Sequence, residues 1–414
     1  MWQVLGRRGR GCSVRHALVP SGSQFFSSEK LVMISLLNTG KPILIVGAGF
    51  AGAVHARTLA EAGYRVLVID QRPHIGGNAH DYVDENGIRV HAYGPHLFHT
   101  KMPRVIEWVK RFGEFVPYTH KVRALLPSGI PVPLPINLDT VNEVFGTHYE
   151  TAGQVLAHLK SVALEFPEPV NAAEYLYANI GQTLTDLFFR PYTKKMWAMD
   201  LEEMSAAVVK RIPLRTDRTD TYFADDDVQM MPRDGYTKIF ETIFNHPNIN
   251  LSLNTCFDKA MLPACEFCFN AMPIDEYFDF SLGELPYRSL KFHHRTAPGL
   301  PEQSWSITNF TDTGPLTRET AWHILPHHIV RKTGHHTLTR EEPCDYRDNN
   351  KERYYPVKTA DGRYNKLYDQ YKAMAEFETN IAFIGRCGTY QYLDMDQVIN
   401  QSLTHVEAWL TRRA

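Results

Sequence analysis

The 414-residue chain carries 44 Lys and Arg against 46 Asp and Glu, a formal net charge of -2, so nothing in its overall charge attracts it to nucleic acid or to an anionic membrane. With 43% hydrophobic residues and no run near the ~18 consecutive apolar residues of a membrane span, it is expected to be soluble and cytoplasmic, and it is long enough for more than one domain and a large buried cofactor. Six cysteines (Cys12, Cys256, Cys265, Cys268, Cys344, Cys387) are too few for a disulfide scaffold and fit a reduced compartment.

The first 32 residues hold four arginines and no acid before Glu29, without the apolar core or cleavage pattern of a secretory signal. A transit peptide, a disordered tail and an upstream start ahead of Met33 all fit that composition, and residues 1–38 are set apart from the fold as a basic extension. From Lys41 a strand "PILIV" runs into a glycine turn, a helix through "AVHARTLAEAG" closed by Gly63, and a second strand "RVLVID" ending at Asp70. This is a βαβ unit of the usual ~30 residues. Gly47, Gly49 and Gly52 form GxGxxG, whose glycines allow the tight turn, the close approach of backbone to a pyrophosphate and tight helix-on-strand packing. Asp70 is placed to accept hydrogen bonds from ribose hydroxyls. The fingerprint does not choose between nicotinamide and flavin, but a second glycine pair, Gly76 and Gly77, in "DQRPHIGGNAHD" suggests a long cofactor lying across the sheet edge.

Farther along, "PRVIEWVKRFGEF" has helical spacing, "YTHKVRALLPSGIPVPLPIN" reads as a proline-interrupted hairpin, and residues 138 to 210 look mostly helical. Strands return from about 215, with "GYTKIFETIF" a helix and "INLSLNT", "SLKFHHR" and "SWSITNF" strands, before "NIAFIGRCGTYQYLDMDQVINQSLTHVEAWLTRR" ends the chain as strand, loop and amphipathic helix. The CxxC of Cys265 and Cys268 sits in an apolar run and reads as buried strand. The His-His pairs at 293–294, 327–328 and 335–336 read as solvated loops, the acids of "YFADDD" as an acidic loop, and no metal is expected.

The segments "RPHIGGNAHD", "YGPHLFHT", "LPINLDT", "FFRPYTKKMW", "RIPLR", "MPRDGYTKIFE", "PIDEYFD", "GELPYRSLKF", "YYPV" and "GRCGTYQYLDMDQVI" resemble, in order from about 41 to 410, the bacterial-type UDP-galactopyranose mutases. The resemblance implies an α/β fold: an FAD-binding Rossmann-like domain (39–100, 232–275, 375–414), an inserted, mostly helical domain (101–215) and an antiparallel β-sheet domain (216–231, 276–374). It implies interconversion of UDP-galactopyranose and UDP-galactofuranose by FAD that is active when reduced, through a covalent sugar adduct at flavin N5 with no net redox change. An external electron donor to prime the flavin, a homodimer, and a role supplying galactofuranose to cell-wall and other polysaccharides follow from the same resemblance.

Such chemistry needs arginines for a nucleoside diphosphate and aromatic faces for uracil and sugar. Arg211 and Arg318 match the two diphosphate arginines, and His99 matches a histidine placed for proton transfer. Phe189, Tyr192, Thr193 and Trp197 match the uridine segment. Tyr222, Arg288, Tyr355, Tyr392 and Asp394 match positions lining phosphate and sugar, with Tyr354 an alternative to Tyr355. Toward the cofactor the resemblance adds Phe50, Ala51, Gln71, Arg72, Asn78 and His96 to the glycines and Asp70. It also adds Gly385, Arg386, Asp394 and Met395, where the start of the last helix would stabilise negative charge on a reduced flavin. The stretch "PLTRETAWHILPHHIVRKTGHH" departs from the family after Arg318. A flavin oxidoreductase of the amine oxidase type, or a non-catalytic nucleotide-sugar or flavin-binding protein, would share the fingerprint without the isomerisation.

Overall fold

The computed structural model describes residues 40–210, 213–223, 228–301 and 303–413. The extension 1–38, Arg211 and the acids at 225–227 lie outside the described residues. Pro42–Ala414 form one compact unit.

Five parallel strands lie in the order Ile249–Ser252, Val66–Ile69, Ile43–Val46, Phe267–Asn270 and Ile381–Phe383. A parallel sheet covered on both faces requires continuous apolar runs, and "ILIV" and "VLVI" supply them. Ile43, Ile45, Val66 and Val68 enter one core with the helices Phe50–Glu61 and Met395–Thr411. Leu44, Val46 and Ile69 enter a second core on the opposite face with Cys265, Cys268 and Tyr277. Both cysteines of the CxxC are thus buried beside an apolar sheet, and Cys268 lies within its strand as expected.

A seven-stranded sheet runs Tyr355–Pro356, Tyr287–Pro298, His335–Asp345, Arg318–Ala321, Ile307–Phe310, Val122–Leu125 and Pro131–Leu134. It is not wholly antiparallel, because Ile307–Phe310 pairs parallel with Val122–Leu125. The proline-interrupted hairpin, expected within the helical insertion, therefore forms one end of this sheet. Pro131 and Pro133 are on its last strand, where a missing N–H on the outer side breaks no ladder bond.

The helices Leu138–Phe145, Ala152–Val162 and Ala172–Leu184 begin at side-chain caps: Asn137 accepts from Thr140 N, Thr151 from Gln154 N, and Asn171 from Glu174 N. The third is broken at Gly181 (φ 72°, ψ 176°), then continues through a π-helical turn Thr185–Phe189 into the helix Arg190–Trp197.

The histidine pairs differ from the solvated loops expected of them. His293–His294 and His335–His336 are in strands, and in the pairs 327–328 and 335–336 one ring is exposed and the other buried. Strand geometry puts His335 and His336 on opposite faces, whereas His327–His328 lies outside any strand and both residues of His293–His294 are exposed as expected. Among the described residues no three His, Cys, Asp or Glu side chains converge as a metal site, and no helix is long and apolar enough to cross a membrane.

Candidate active site

The fingerprint folds into a cradle that only glycine can form. Gly47 adopts φ 102°, and a Cβ on Gly52 would lie 1.9 Å from the Gly47 carbonyl oxygen. Gly77 (φ 54°) comes so close to the first turn that its Cβ would stand 2.9 Å from Gly49 Cα. The helix Phe50–Glu61 starts at Gly49 with no side-chain cap, so its first-turn N–H groups are left for an anion. Asp70 ties both turns together, accepting from Ala48 N at 2.7 Å through Oδ2 and from Arg72 N at 2.9 Å through Oδ1. Each carboxylate oxygen retains a further acceptor position.

Arg72 donates to Asn78 Oδ1 at 2.9 Å, pairs with Glu352 and lies over the Tyr93 ring at 4.5 Å. Gln71 is exposed at the strand end. Gly385 closes the cradle from the C-terminal side, where a Cβ would meet Ala51 Cβ at 2.9 Å. The residues present fit the pyrophosphate of a dinucleotide: bare helix N–H groups, glycine surfaces and an acid at the strand end.

Arg318 lies on a strand directly opposite Glu341, and its Nε donates to Glu341 Oε2 at 2.6 Å. Glu341 is 1% exposed. Burial pushes its carboxyl above the ordinary range and Arg318 pulls it back, while the carboxylate in turn raises the Arg318 guanidinium. Tyr192 and Tyr355 share this electrostatic neighbourhood, their phenols pushed up by burial against the opposing pull of Arg318. Arg386 lies over both Tyr355 (5.4 Å) and Tyr392 (5.3 Å), and Trp197 neighbours the same two rings at 6.0 and 6.4 Å. Tyr354 instead packs on Tyr93 and Phe292, so Tyr355 is the member of the pair that joins the arginine cluster.

His96 donates from Nδ1 to the Gly94 carbonyl at 2.8 Å, and burial, followed by Arg386 and Arg318, holds its pKa down to about 4. His99 stacks on Phe223 with ring centroids 3.7 Å apart and acts on Asp396 in the first turn of the last helix. Asp394 caps that helix, its N–H received by Gln397 Oε1 at 3.0 Å, and Met395 is its first residue. His120, unassigned from sequence, is buried near Arg318 and His99, with its pKa lowered to about 3 chiefly by burial.

Beside this cluster a largely apolar cleft is lined by Ala124, Leu134, Phe188, Phe189, Tyr192, Tyr222, Asn309, Phe310 and Thr311. Tyr192 belongs to both features. The π turn adds a residue to the helical repeat, and Phe188 and Phe189 both face the cleft. Thr193 is buried and does not line the cleft, and Arg288 donates to the carbonyls of Met196 (2.8 Å) and Lys195 (3.3 Å), capping the helix that carries Tyr192 and Trp197. Sequence reasoning missed Glu341, His120, Phe188 and Asn309. Only for Phe188 did a local signal exist, its adjacency to Phe189.

A family profile described as UDP-galactopyranose mutase matches residues 187–392, and one described as an NAD(P)-binding Rossmann-like domain matches residues 45–112. The chain is 36% identical over 380 residues to a dTDP-fucopyranose mutase of Escherichia coli, covering 89% of this chain and 98% of that one. It is also 36% identical over 376 residues to a probable UDP-galactopyranose mutase of Klebsiella pneumoniae, covering 90% and 95%. A crystal structure of reduced UDP-galactopyranose mutase shares the fold with a TM-score of 0.72 at 20% identity, covering 90% of this chain and 96% of that one. Near-complete coverage at this identity joins the cradle, the arginine cluster and the cleft in a single assignment: the chain belongs to the UDP-galactopyranose mutase family.

Proposed function

We propose that this protein is an FAD-dependent mutase that interconverts UDP-galactopyranose and UDP-galactofuranose when its flavin is reduced. The observation that carries the reading is Tyr192, which lines the aromatic cleft and also shares the electrostatic neighbourhood of Arg318. A base in the cleft would thereby have its diphosphate beside a guanidinium.

In this reading uracil stacks among Phe188, Phe189 and Tyr192, and the Asn309 amide meets its imide edge with one donor and one acceptor. Arg318 takes the diphosphate through the guanidinium nitrogens that Glu341 leaves unused, which holds the leaving group and stabilises its charge. Tyr355, Tyr392 and Arg386 form the wall beside the sugar. His96, neutral at physiological pH with its proton on Nδ1, presents a bare Nε2 that can accept a proton. The glycine turns at Gly47–Gly52 and Gly76–Gly77, with Asp70, would hold the flavin, which when bound and reduced would supply a nucleophile for the anomeric carbon; with no net redox change, reductant would prime the enzyme and not be consumed. The resemblance of "RIPLR" to the family's segment implies that Arg211 would be a second diphosphate ligand.

A second reading has its own support, since a dTDP-fucopyranose mutase is as similar to this chain as the probable UDP-galactopyranose mutase. Thymine differs from uracil by one methyl group. The test is to purify the protein, record its flavin absorbance, and incubate it with UDP-galactofuranose or dTDP-fucofuranose, with and without dithionite, following the products by chromatography. UDP-galactopyranose formed only under reduction, with substoichiometric reductant, supports the first reading. Turnover of the dTDP-sugar alone supports the second. Reductant consumed in proportion to product would replace both with an oxidoreductase.

A further inference from the structure

His91 ends the strand Arg89–His91, and His328 follows the short helix Trp322–Ile324 in the stretch where the sequence departs from the family. Their side chains are 0% and 1% exposed, with Nε2 atoms 3.1 Å apart. Hydrogen-bond accounting assigns the protons. His91 Nδ1 accepts from the backbone N–H of His96 at 3.0 Å, so that nitrogen is bare and the proton of the neutral ring is on Nε2. That proton points at His328 Nε2, which must be bare in turn. The His328 proton is then on Nδ1, which donates to the Pro326 carbonyl at 2.9 Å.

A second proton on either ring would set two N–H groups against each other or remove the acceptor for His96 N–H. Burial resists this, holding His328 to about 4 and His91 well below its ordinary value, with Arg89 a common charged neighbour. Trp322 packs against His91 at 4.9 Å and donates to Thr339 Oγ1 at 2.6 Å, while Tyr236 meets His91 edge-on at 5.6 Å.

The pair also joins two backbones. Arg89 N–H donates to the His328 carbonyl at 2.8 Å, and Val330 and Arg331 donate to the Gly87 carbonyl at 2.9 and 3.0 Å. From this anchored hairpin the chain passes directly into the loop bearing His96, whose Nδ1–H is committed to Gly94, leaving Nε2 bare beside Arg318 and Arg386. We propose that His91 and His328 are positioning residues for the isomerisation, a one-proton imidazole pair that fixes the His96 backbone and so the aim of its bare Nε2. The role in turnover rests on the mutase reading above; the proton arrangement does not.

The test compares full-length His328→Leu and His328→Gln with wild type. His328→Leu fills the volume without an acceptor, and kcat should fall on the order of tenfold with flavin content and KM little changed. His328→Gln should recover most of that loss, because its amide oxygen accepts from His91 and its N–H can reach the Pro326 carbonyl. Equal losses in both, or a change in KM alone, would reduce the pair to packing and overturn the proposal. Nitrogen-15 NMR of histidine-labelled wild-type protein supplies a readout independent of turnover and of whether the variants fold. Protons on Nε2 of His91 and Nδ1 of His328 are expected at neutral pH, and reversed tautomers or an imidazolium would sink the pair. Wild-type protein that binds flavin yet isomerises neither sugar would instead sink the functional reading, and the tautomers would still decide the pair.

Discussion

Under the proposed function, Arg318 serves stability and chemistry together. Its Nε holds Glu341, and the rest of the guanidinium would take the diphosphate. Removing it outright would confound the two roles, since an unpaired buried carboxylate costs about 3–5 kcal/mol. Arg318→Lys keeps the charge and loses the fork. Its turnover should fall by roughly 10²-fold or more with flavin content retained and the melting temperature little changed; near-normal kcat/KM would remove Arg318 from the diphosphate. Gly77→Ala tests the cradle in the same way. At φ 54° and 2.9 Å from Gly49 Cα a methyl cannot be accommodated without parting the two glycine turns, so the purified variant should be colourless while the wild type is yellow. An alanine variant with full flavin absorbance would show that the cofactor does not depend on that contact.

Among elements, the broken helix from Ala172 to Trp197 decides where the aromatic residues point. Gly181 takes φ 72° with its Cβ position 2.5 Å from the Val162 carbonyl oxygen, and buried Thr185 donates to the Gly181 carbonyl at 2.7 Å, just before the π turn. Gly181→Ala should destabilise the protein by about 1–3 kcal/mol and raise KM for the nucleotide-sugar more than it lowers kcat, because the cleft moves while the arginine cluster stays. Calorimetry with steady-state kinetics checks both halves, and a loss confined to kcat would refute the link between the turn and the cleft. That residues 138 to 210 are mostly helical was legible from apolar spacing, while the starts at Asn137, Thr151 and Asn171 are fixed by their side-chain caps. The π turn was not, because "TLTDLFFRPYTKKMW" satisfies ordinary helical spacing as well.

For the molecule as a whole, the buried histidines set the acid limit of stability. His55 is fully buried between the fingerprint helix and the last helix, with Nδ1 donating to the Ala51 carbonyl at 2.8 Å and Nε2 3.2 Å from His405 Nδ1. Burial holds its pKa near 3 against an ordinary 6.5. Below pH 6.5 the unfolded chain therefore takes up a proton that the folded chain refuses until about pH 3, and stability falls as pH falls across that window. The slope from His55 alone is about 1.4 kcal/mol per pH unit. His120 and His328, lowered to about 3 and about 4, act in the same direction. Melting temperature should drop from pH 7 to pH 5, and His55→Gln should flatten the drop. An unchanged slope in that variant would mean that His55 titrates alike in the folded and unfolded chain.

The βαβ unit, the glycine turns, the acid at the second strand end, the apolar helix faces and the last helix could all be read along the chain, because each depends on neighbours within a few residues. Its family, too, was legible from motifs in order. The site was only half legible. Arg318 was visible but its partner Glu341 was not, since the two meet through strand register, which is set by how two segments fit a shared core and is written in neither one alone. Arg288, matched by resemblance to positions lining phosphate and sugar, also donates to the carbonyls of Met196 and Lys195, helix-end acceptors that residue type alone does not name. Asn309 joins Phe189 and Tyr222 in one cleft only after a strand from the hairpin pairs in parallel with its own. Local sequence determined the elements and the cofactor cradle; the aim of the arginines and aromatic side chains was decided by long-range pairing, because only tertiary packing brings distant segments within hydrogen-bonding reach.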